Sequence, residues 1–186
     1  MSDPVKISPP VSEEKTRALR AGDKVLITGV IYTARDAAHR RLIELIEQGE
    51  ELPLPLEGQI VYYVGPTPAS PGKATGSAGP TTSSRVDPYT PQLLAQGLRV
   101  MIGKGDRSPE VALALSEYGA VYLAAVGGAG ALLARKITSG VIAAWPELGP
   151  EAIYRFEVCD FPATVVMDSA GGNLYATGRA AYKRQP

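Results

Sequence analysis

The sequence predicts an α/β fold with a mainly parallel core and antiparallel strands added near the C-terminal end. Three observations predict it. Short apolar runs rich in Val, Ile and Tyr alternate with stretches of helical spacing, the rhythm of βαβ units. Helix start and stop residues fall at the right offsets between those runs. Past residue 150 the helical spacing gives way to short alternating segments.

After a polar, proline-bearing lead-in (residues 1–20), residues 21–186 read as one domain, a length that can bury one substantial core. "DKVLITGVIYTA" is a strand. In "TARDAAHRRLIELIEQGE", Ala38, Leu42, Leu45 and Ile46 recur at helical spacing, with Thr33 as the expected cap and Gly49 as the stop. Arg35, Asp36 and His39 then lie near the helix's first turn. "QIVYYVG" is a short buried strand. Residues 65–80, "GPTPASPGKATGSAGP", hold four Gly and four Pro, too many turn formers for regular structure. A loop of that length is either a linker or a functional loop, and the clear patterns on both sides favour function.

"LRVMIG" is the next strand. A helix follows it, with Ser108 as N-cap, Pro109 in its first position, Glu110 in its first turn and Gly119 at its end. "AVYLAAV" is another buried strand, and "GGAGALLARKI" turns into a small-residue helix. "IYRFEVCDF", "ATVVMDS" and "NLYATG" alternate like strands, with "SAGGN" as a hairpin turn.

Composition narrows the function classes. Nineteen basic residues balance nineteen acidic ones, so no global field draws the chain to nucleic acid or an anionic membrane. One cysteine, Cys159, and one histidine exclude an internal disulfide framework and an ordinary zinc site, which fits a reducing cytoplasm. No apolar run has the length of a signal peptide core or a membrane span. Two phosphate-loop readings also fail. In "GLRVMIGKGD" Lys104 precedes Gly rather than Ser or Thr, and Leu133 occupies the third glycine position of a dinucleotide fingerprint counted from Gly128. Gly127, Gly128 and Gly130 then read as sites of close backbone packing.

Three cations lie where open α/β sheets bind ligands, at or beside the carboxyl ends of predicted strands or just past the long loop. Arg35 sits near a helix N-terminus, either for an anion or as a surface arginine pairing with Asp36 or Glu44. Lys104 follows a strand, either in a site or as a solvated turn lysine. Arg85 follows the hydroxyl run Thr81, Thr82, Ser83 and Ser84, where an N-cap at Ser84 with Asp87 in the first turn is the purely structural reading. Brought together, two guanidinium forks and an ammonium suit a small dicarboxylate. A hydroxyl in that field would have its alkoxide stabilised.

Five strings, "YTARDAAH" (32–39), "YYVGPTPA" (62–69), "GSAGPTTSSRVDPY" (76–89), "GKGDRS" (103–108) and "GAVYLAAVGGAGALLA" (119–134), resemble in order the beta part of class I fumarate hydratases and the related L-tartrate dehydratases. The resemblance implies a swivelling β/β/α domain and an iron–sulfur hydro-lyase made of two parts. It implies that a partner alpha subunit holds the [4Fe–4S] cluster on three cysteines, that this chain holds no metal, and that the two chains form a hetero-oligomer acting on fumarate and malate, on tartrate or on a methylated fumarate. By the same resemblance Thr81 moves the proton at carbon, Arg35, Arg85 and Lys104 grip the substrate carboxylates, and His39 and Asp106 play supporting parts. Cys159 lies outside the matching strings and reads as a core or strand residue. A reading from another class also stands: a non-catalytic domain that binds an organic anion or assembles with partners.

Overall fold

Alternation along the short strands gives both faces of the sheet an apolar surface, and the fold buries both. The computed structural model describes residues 3–183, the Tyr182 side chain excepted. In chain order its strands and helices are β1 (Val5–Ile7), α1 (Glu13–Ala18), β2 (Lys24–Thr33), α2 (Asp36–Gln48), β3 (Ile60–Tyr62), a 3-10 helix (Ser83–Tyr89) and α3 (Thr90–Ala95). Then come β4 (Val100–Gly103), α4 (Pro109–Glu117), β5 (Val121–Ala124), α5 (Gly130–Ala134), β6 (Ile137–Ala144), 3-10 turns (Pro146–Glu151), β7 (Ile153–Met167) and α6 (Leu174–Tyr182).

Strands β1 to β5 pair in parallel, in that order. β7 runs antiparallel to three strands: Ile153–Val158 pairs with β6, Arg155–Thr164 with β2, and Thr164–Met167 with β5. Because β7 joins β5 back to β2, the sheet closes on itself. Asp160 adopts a left-handed φ of 48° where the β2–β7 register shifts, and this bulge bends the long strand between its partners. Ile60, Tyr62, Val100, Ile102, Phe156 and Phe161 fill one apolar cluster. Val61, Tyr63, Met101 and Tyr122 point the other way, into a second cluster covered by Leu42 of α2, Leu93 and Leu94 of α3, and Val111 and Leu115 of α4.

The mixed α/β class and the parallel core with an antiparallel C-terminal addition match expectation. Several details differ. The lead-in carries β1 and α1, and its Ile7, Val11 and Leu19 are buried in the core. Thr33 does not cap α2: it ends β2, where its hydroxyl accepts from Tyr154 N (2.9 Å), and Arg35 holds the cap position without a side-chain bond. "NLYATG" is not a strand. Asn173 Oδ1 accepts from Tyr175 N and Ala176 N, and that cap starts α6 immediately after the "SAGGN" turn. The 3-10 helix begins at Ser83 with Thr82 as its cap, not Ser84. β6 had no counterpart in the sequence reading, and the two C-terminal strand segments are one strand, β7. Ser108 caps α4 as expected, and Gly49 ends α2 in the left-handed conformation. No helix among the described residues is long and apolar enough to cross a membrane.

Candidate active site

Three adjacent parallel strands, β2, β3 and β4, deliver the predicted residues to their shared carboxyl edge. Arg35 stands two residues past β2. The long loop returns to the end of β3, where Thr81 N donates to Tyr63 O (2.8 Å). Lys104 directly follows β4, forms a parallel bridge with Thr82, and accepts at its carbonyl from Ser83 N (3.0 Å). Arg85, in the 3-10 helix, places Nη2 2.8 Å from Asp36 Oδ2, next to Arg35 in the chain. Thr81, Arg85, Lys104 and Arg35 thus lie along one edge, tied to it and to one another through Tyr63, Thr82, Ser83 and Asp36.

The donors there are incompletely satisfied. Arg35 is held by Glu151, whose Oε1 lies 3.3 Å from Nη2 while its Oε2 accepts from Ala37 N (3.0 Å), yet Arg35 Nε is buried and has no partner. A side chain at Gly65 would press on the Arg35 guanidinium, so the glycine gives this arginine its room. Lys104 is exposed and makes no ion pair with any described residue. Arg85 is 57 % exposed, which leaves its free face to a ligand. Thr81 is half-buried.

Under this edge lies a buried polar lattice that fixes it. Lys104 N donates to Ser83 Oγ (3.1 Å), Ser83 Oγ meets Tyr122 OH (2.8 Å), and Tyr122 OH donates to Gly105 O (2.9 Å). Such a chain polarises each bond in turn and pins the Lys104 backbone from both sides. Burial pushes the Tyr122 phenol up, so it stays neutral and able to donate. Gly103 is required here, because a Cβ would collide with Ser83 Oγ. Deeper in, Arg107 is fully buried: Nε donates to Asp87 Oδ1 (2.5 Å), Nη2 donates to Thr90 Oγ1 (2.7 Å), and the guanidinium lies over the Tyr122 and Tyr63 rings at 4.9 and 5.4 Å. Asp87 Oδ2 accepts from Ser108 N (2.7 Å). One ion pair therefore ties the helix bearing Arg85 to the start of α4, just past Lys104.

His39 is fully buried, edge-on to Tyr63 at 5.3 Å, and its Nδ1–H donates to Arg35 O (2.9 Å). Burial lowers its pKa to about 4, outweighing the bond to Arg35 O, with the Arg107 charge pushing the same way. It is a neutral anchor for the Arg35 backbone. Asp106 accepts from Arg107 N (3.0 Å) and lies 3.9 Å from Arg179 Nη1.

Of the four consecutive hydroxyls, Thr81 and Thr82 reach the strand edge, Ser83 is a buried strut and Ser84 is exposed. Sequence reasoning missed Glu151, Tyr122 and Arg107, and assigned Asp87 to a helix turn. Their partners lie far along the chain, and no local spacing announces them. Gly130 and Gly79 pack backbone to backbone, with Ala78 N donating to Gly130 O (3.1 Å), so Gly130 seats the long loop on α5; Gly127 and Gly128 pack against no backbone, and Gly128 serves instead a left-handed φ of 80°. Among the described residues no three His, Cys, Asp or Glu side chains could hold a metal ion, and Cys159 is exposed on β7 rather than in the core.

Comparison with known proteins gives the chain its relatives. Residues 2–178 match the family described as Fumarase C-terminus. The chain is 42 % identical over 154 residues to the aerobic class I fumarate hydratase of Escherichia coli K12, covering 82 % of this chain and 28 % of that protein. It is 39 % identical over 157 residues to fumarate hydratase 2 of Leishmania major, covering 83 % and 28 %. It is 37 % identical over 171 residues to the putative L(+)-tartrate dehydratase subunit beta of Methanocaldococcus jannaschii, covering 89 % and 88 %. The chain thus spans little more than a quarter of the length of these two fumarate hydratases.

Proposed function

The chain belongs to the Fumarase C-terminus family, and on that premise we propose that it is the beta subunit of a class I fumarate hydratase, a hydro-lyase interconverting fumarate and (S)-malate in the cytoplasm. The observation that carries the proposal is the convergence of Arg35, Thr81, Arg85 and Lys104 on one strand edge. In this reading the closed sheet with its outer helices is a swivelling β/β/α domain, and its carboxyl edge faces an alpha subunit across a shared cleft.

Arg35 and Arg85 hold the substrate carboxylates through their guanidinium forks, and Lys104 adds a point charge. The unpartnered Arg35 Nε gains its missing acceptor when a carboxylate binds. Thr81 Oγ takes the proton from the carbon next to the hydroxyl-bearing one, or returns it during hydration. The surrounding cations favour its alkoxide, which makes a weakly acidic hydroxyl usable as a base. Closure of the alpha subunit over this edge excludes bulk water.

The donor set of this chain does not fit a [4Fe–4S] cluster, because its single cysteine is exposed on β7, away from the strand edge. We assign the cluster to the alpha subunit. A second reading, the beta subunit of an L-tartrate dehydratase, is favoured by the Methanocaldococcus relative, which aligns along 88 % of its own length. The grip on two carboxylates serves either substrate.

The test is anaerobic reconstitution with the alpha subunit, iron and sulfide, followed by assays on fumarate, malate and tartrate. Turnover is expected only when both subunits are present, and the preferred substrate separates the two readings. Robust turnover by the purified, iron-free chain alone would overturn the two-subunit proposal.

A further inference from the structure

A groove of about 620 Å³ lies between α5 and the strands β2 and β7, and the proposed chemistry makes no use of it. Its floor is apolar, formed in part by Val25, Leu133 and Pro162. Two of the protein's exposed large hydrophobic side chains, Val126 at 70 % and Leu132 at 62 %, stand on its wall. Apolar surface of this kind, left open at the side of a rigid sheet, marks an interaction site. Its volume takes several side chains rather than one.

The charges at the groove are one-sided. Lys24, Arg135 and Lys136 line it, no carboxylate among the described residues does, and none of the three makes an ion pair with a described residue. The groove is also continuous with the candidate active site. Val126 and Ala129 bracket Gly127 and Gly128, and a side chain at Gly127 would stand 3.7 Å from the Lys104 Cδ. A partner that closes over Lys104 therefore meets the head of the groove next.

We propose that this groove is the docking surface for the alpha subunit, which fills it with an amphipathic segment whose apolar side chains are flanked by Asp or Glu. The inference rests on the functional reading above and names the surface by which the two subunits hold each other. Leu132 and Val126 supply the apolar anchor, and Lys24, Arg135 and Lys136 pair with the segment's carboxylates at the rim. A second copy of this chain is a poor occupant. An isologous contact through the groove would set the same three cations against themselves.

The experiment measures the affinity of the purified alpha subunit for the immobilised full chain at low and high salt. Leu132→Asp and the double variant Arg135→Glu/Lys136→Glu change exposed side chains, and circular dichroism confirms that each remains folded. Each is expected to weaken binding by about tenfold or more, and the double variant also to flatten the salt dependence. Leu113→Asp, at an exposed position of α4, is expected to bind within about twofold of the parent, since it lies outside the groove. If the parent binds the alpha subunit and both groove variants bind equally well, the groove assignment is wrong while the functional reading stands. If the parent does not bind the alpha subunit at all, the functional reading falls and this inference with it. Sedimentation showing a dimer of this chain that Leu132→Asp dissolves, with alpha binding unchanged, would give the groove to a second copy and overturn the proposal.

Discussion

Arg85 reaches from the 3-10 helix to Asp36 in the first turn of α2, Nη2 to Oδ2 at 2.8 Å, and so joins the segment after the long loop to the segment after β2. The arginine is 57 % exposed, and an ion pair so open to water adds less than about 1 kcal/mol to stability. Its importance lies in aim rather than in strength, because the pair ties the Arg85 guanidinium to the first turn of α2, one residue past Arg35.

Replacing Arg85 with alanine should therefore leave the melting temperature nearly unchanged. It should reduce kcat/KM of the reconstituted enzyme by about 1.5–3 kcal/mol, roughly 10- to 150-fold, as a substrate carboxylate loses a charged partner. Steady-state kinetics beside a thermal melt separates the two effects. A variant with full activity would remove Arg85 from the site.

Thr81 is held at the end of β3 by its own backbone, so removing its hydroxyl should not move the loop. Thr81→Ala is expected to lower kcat by about 10²- to 10⁴-fold, the usual worth of a positioned proton-transfer group, with KM changed little. Thr81→Ser, which keeps the oxygen, should recover much of the rate. Intact turnover in the alanine variant would show that another group moves the proton.

The Asp87–Arg107 pair is the opposite case to Arg85 and Asp36: the Arg107 side chain is fully buried and that of Asp87 nearly so. Asp87→Ala strands a guanidinium between Tyr63 and Tyr122 and leaves Ser108 N without its acceptor. The expected cost is about 3–5 kcal/mol, a drop in melting temperature on the order of 10 °C for a chain of this size. Asp87→Asn should cost less, since its carbonyl can still accept one bond. Calorimetry on the two variants reads the difference directly.

His39 gives the fold a pH dependence that can be isolated. Its pKa is near 4 when buried and near the ordinary 6.5 when unfolded, so the unfolded chain binds the proton more readily. Its contribution is complete above pH 6.5 and is lost as pH falls toward 4, with a slope of up to about 1.4 kcal/mol per pH unit. Denaturant titrations between pH 7.5 and 5 should show stability falling on acidification. His39→Asn, which keeps a donor for Arg35 O, should flatten that slope. An unchanged slope would mean that the histidine is not the group responsible.

Local signals were the ones the sequence made readable. Ser108, Pro109 and Glu110 define the start of α4 because a cap acts within one turn, and the apolar runs of β3 to β5 stand out because each of these strands is buried on both faces. β6 escaped notice because five of its eight residues, Thr138, Ser139, Gly140, Ala143 and Ala144, are small or polar, and only Ile137 is buried. α6 was misread because "NLYATG" alternates over six residues, while the Asn173 cap that decides the matter competes only weakly in a sequence pattern. In the candidate site, Arg35, Thr81, Arg85 and Lys104 were visible as chemistry beside strand ends. Glu151, Tyr122 and the Asp87–Arg107 pair were not, since only the folded chain sets Glu151 against Arg35 or Tyr122 against Ser83.

The bond from Lys24 to Thr164 spans 140 positions of the chain, and every other pair of the β2–β7 ladder, down to Tyr32 with Arg155, also joins residues more than a hundred positions apart. During synthesis, then, β2 emerges well ahead of its antiparallel neighbour and waits for it until residues 153–167 have been made. An apolar strand with one side of its backbone uncovered is an invitation to intermolecular pairing. Forms truncated before residue 153 are for that reason expected to aggregate more readily than the full chain, because β7 is the strand that seals this side of β2.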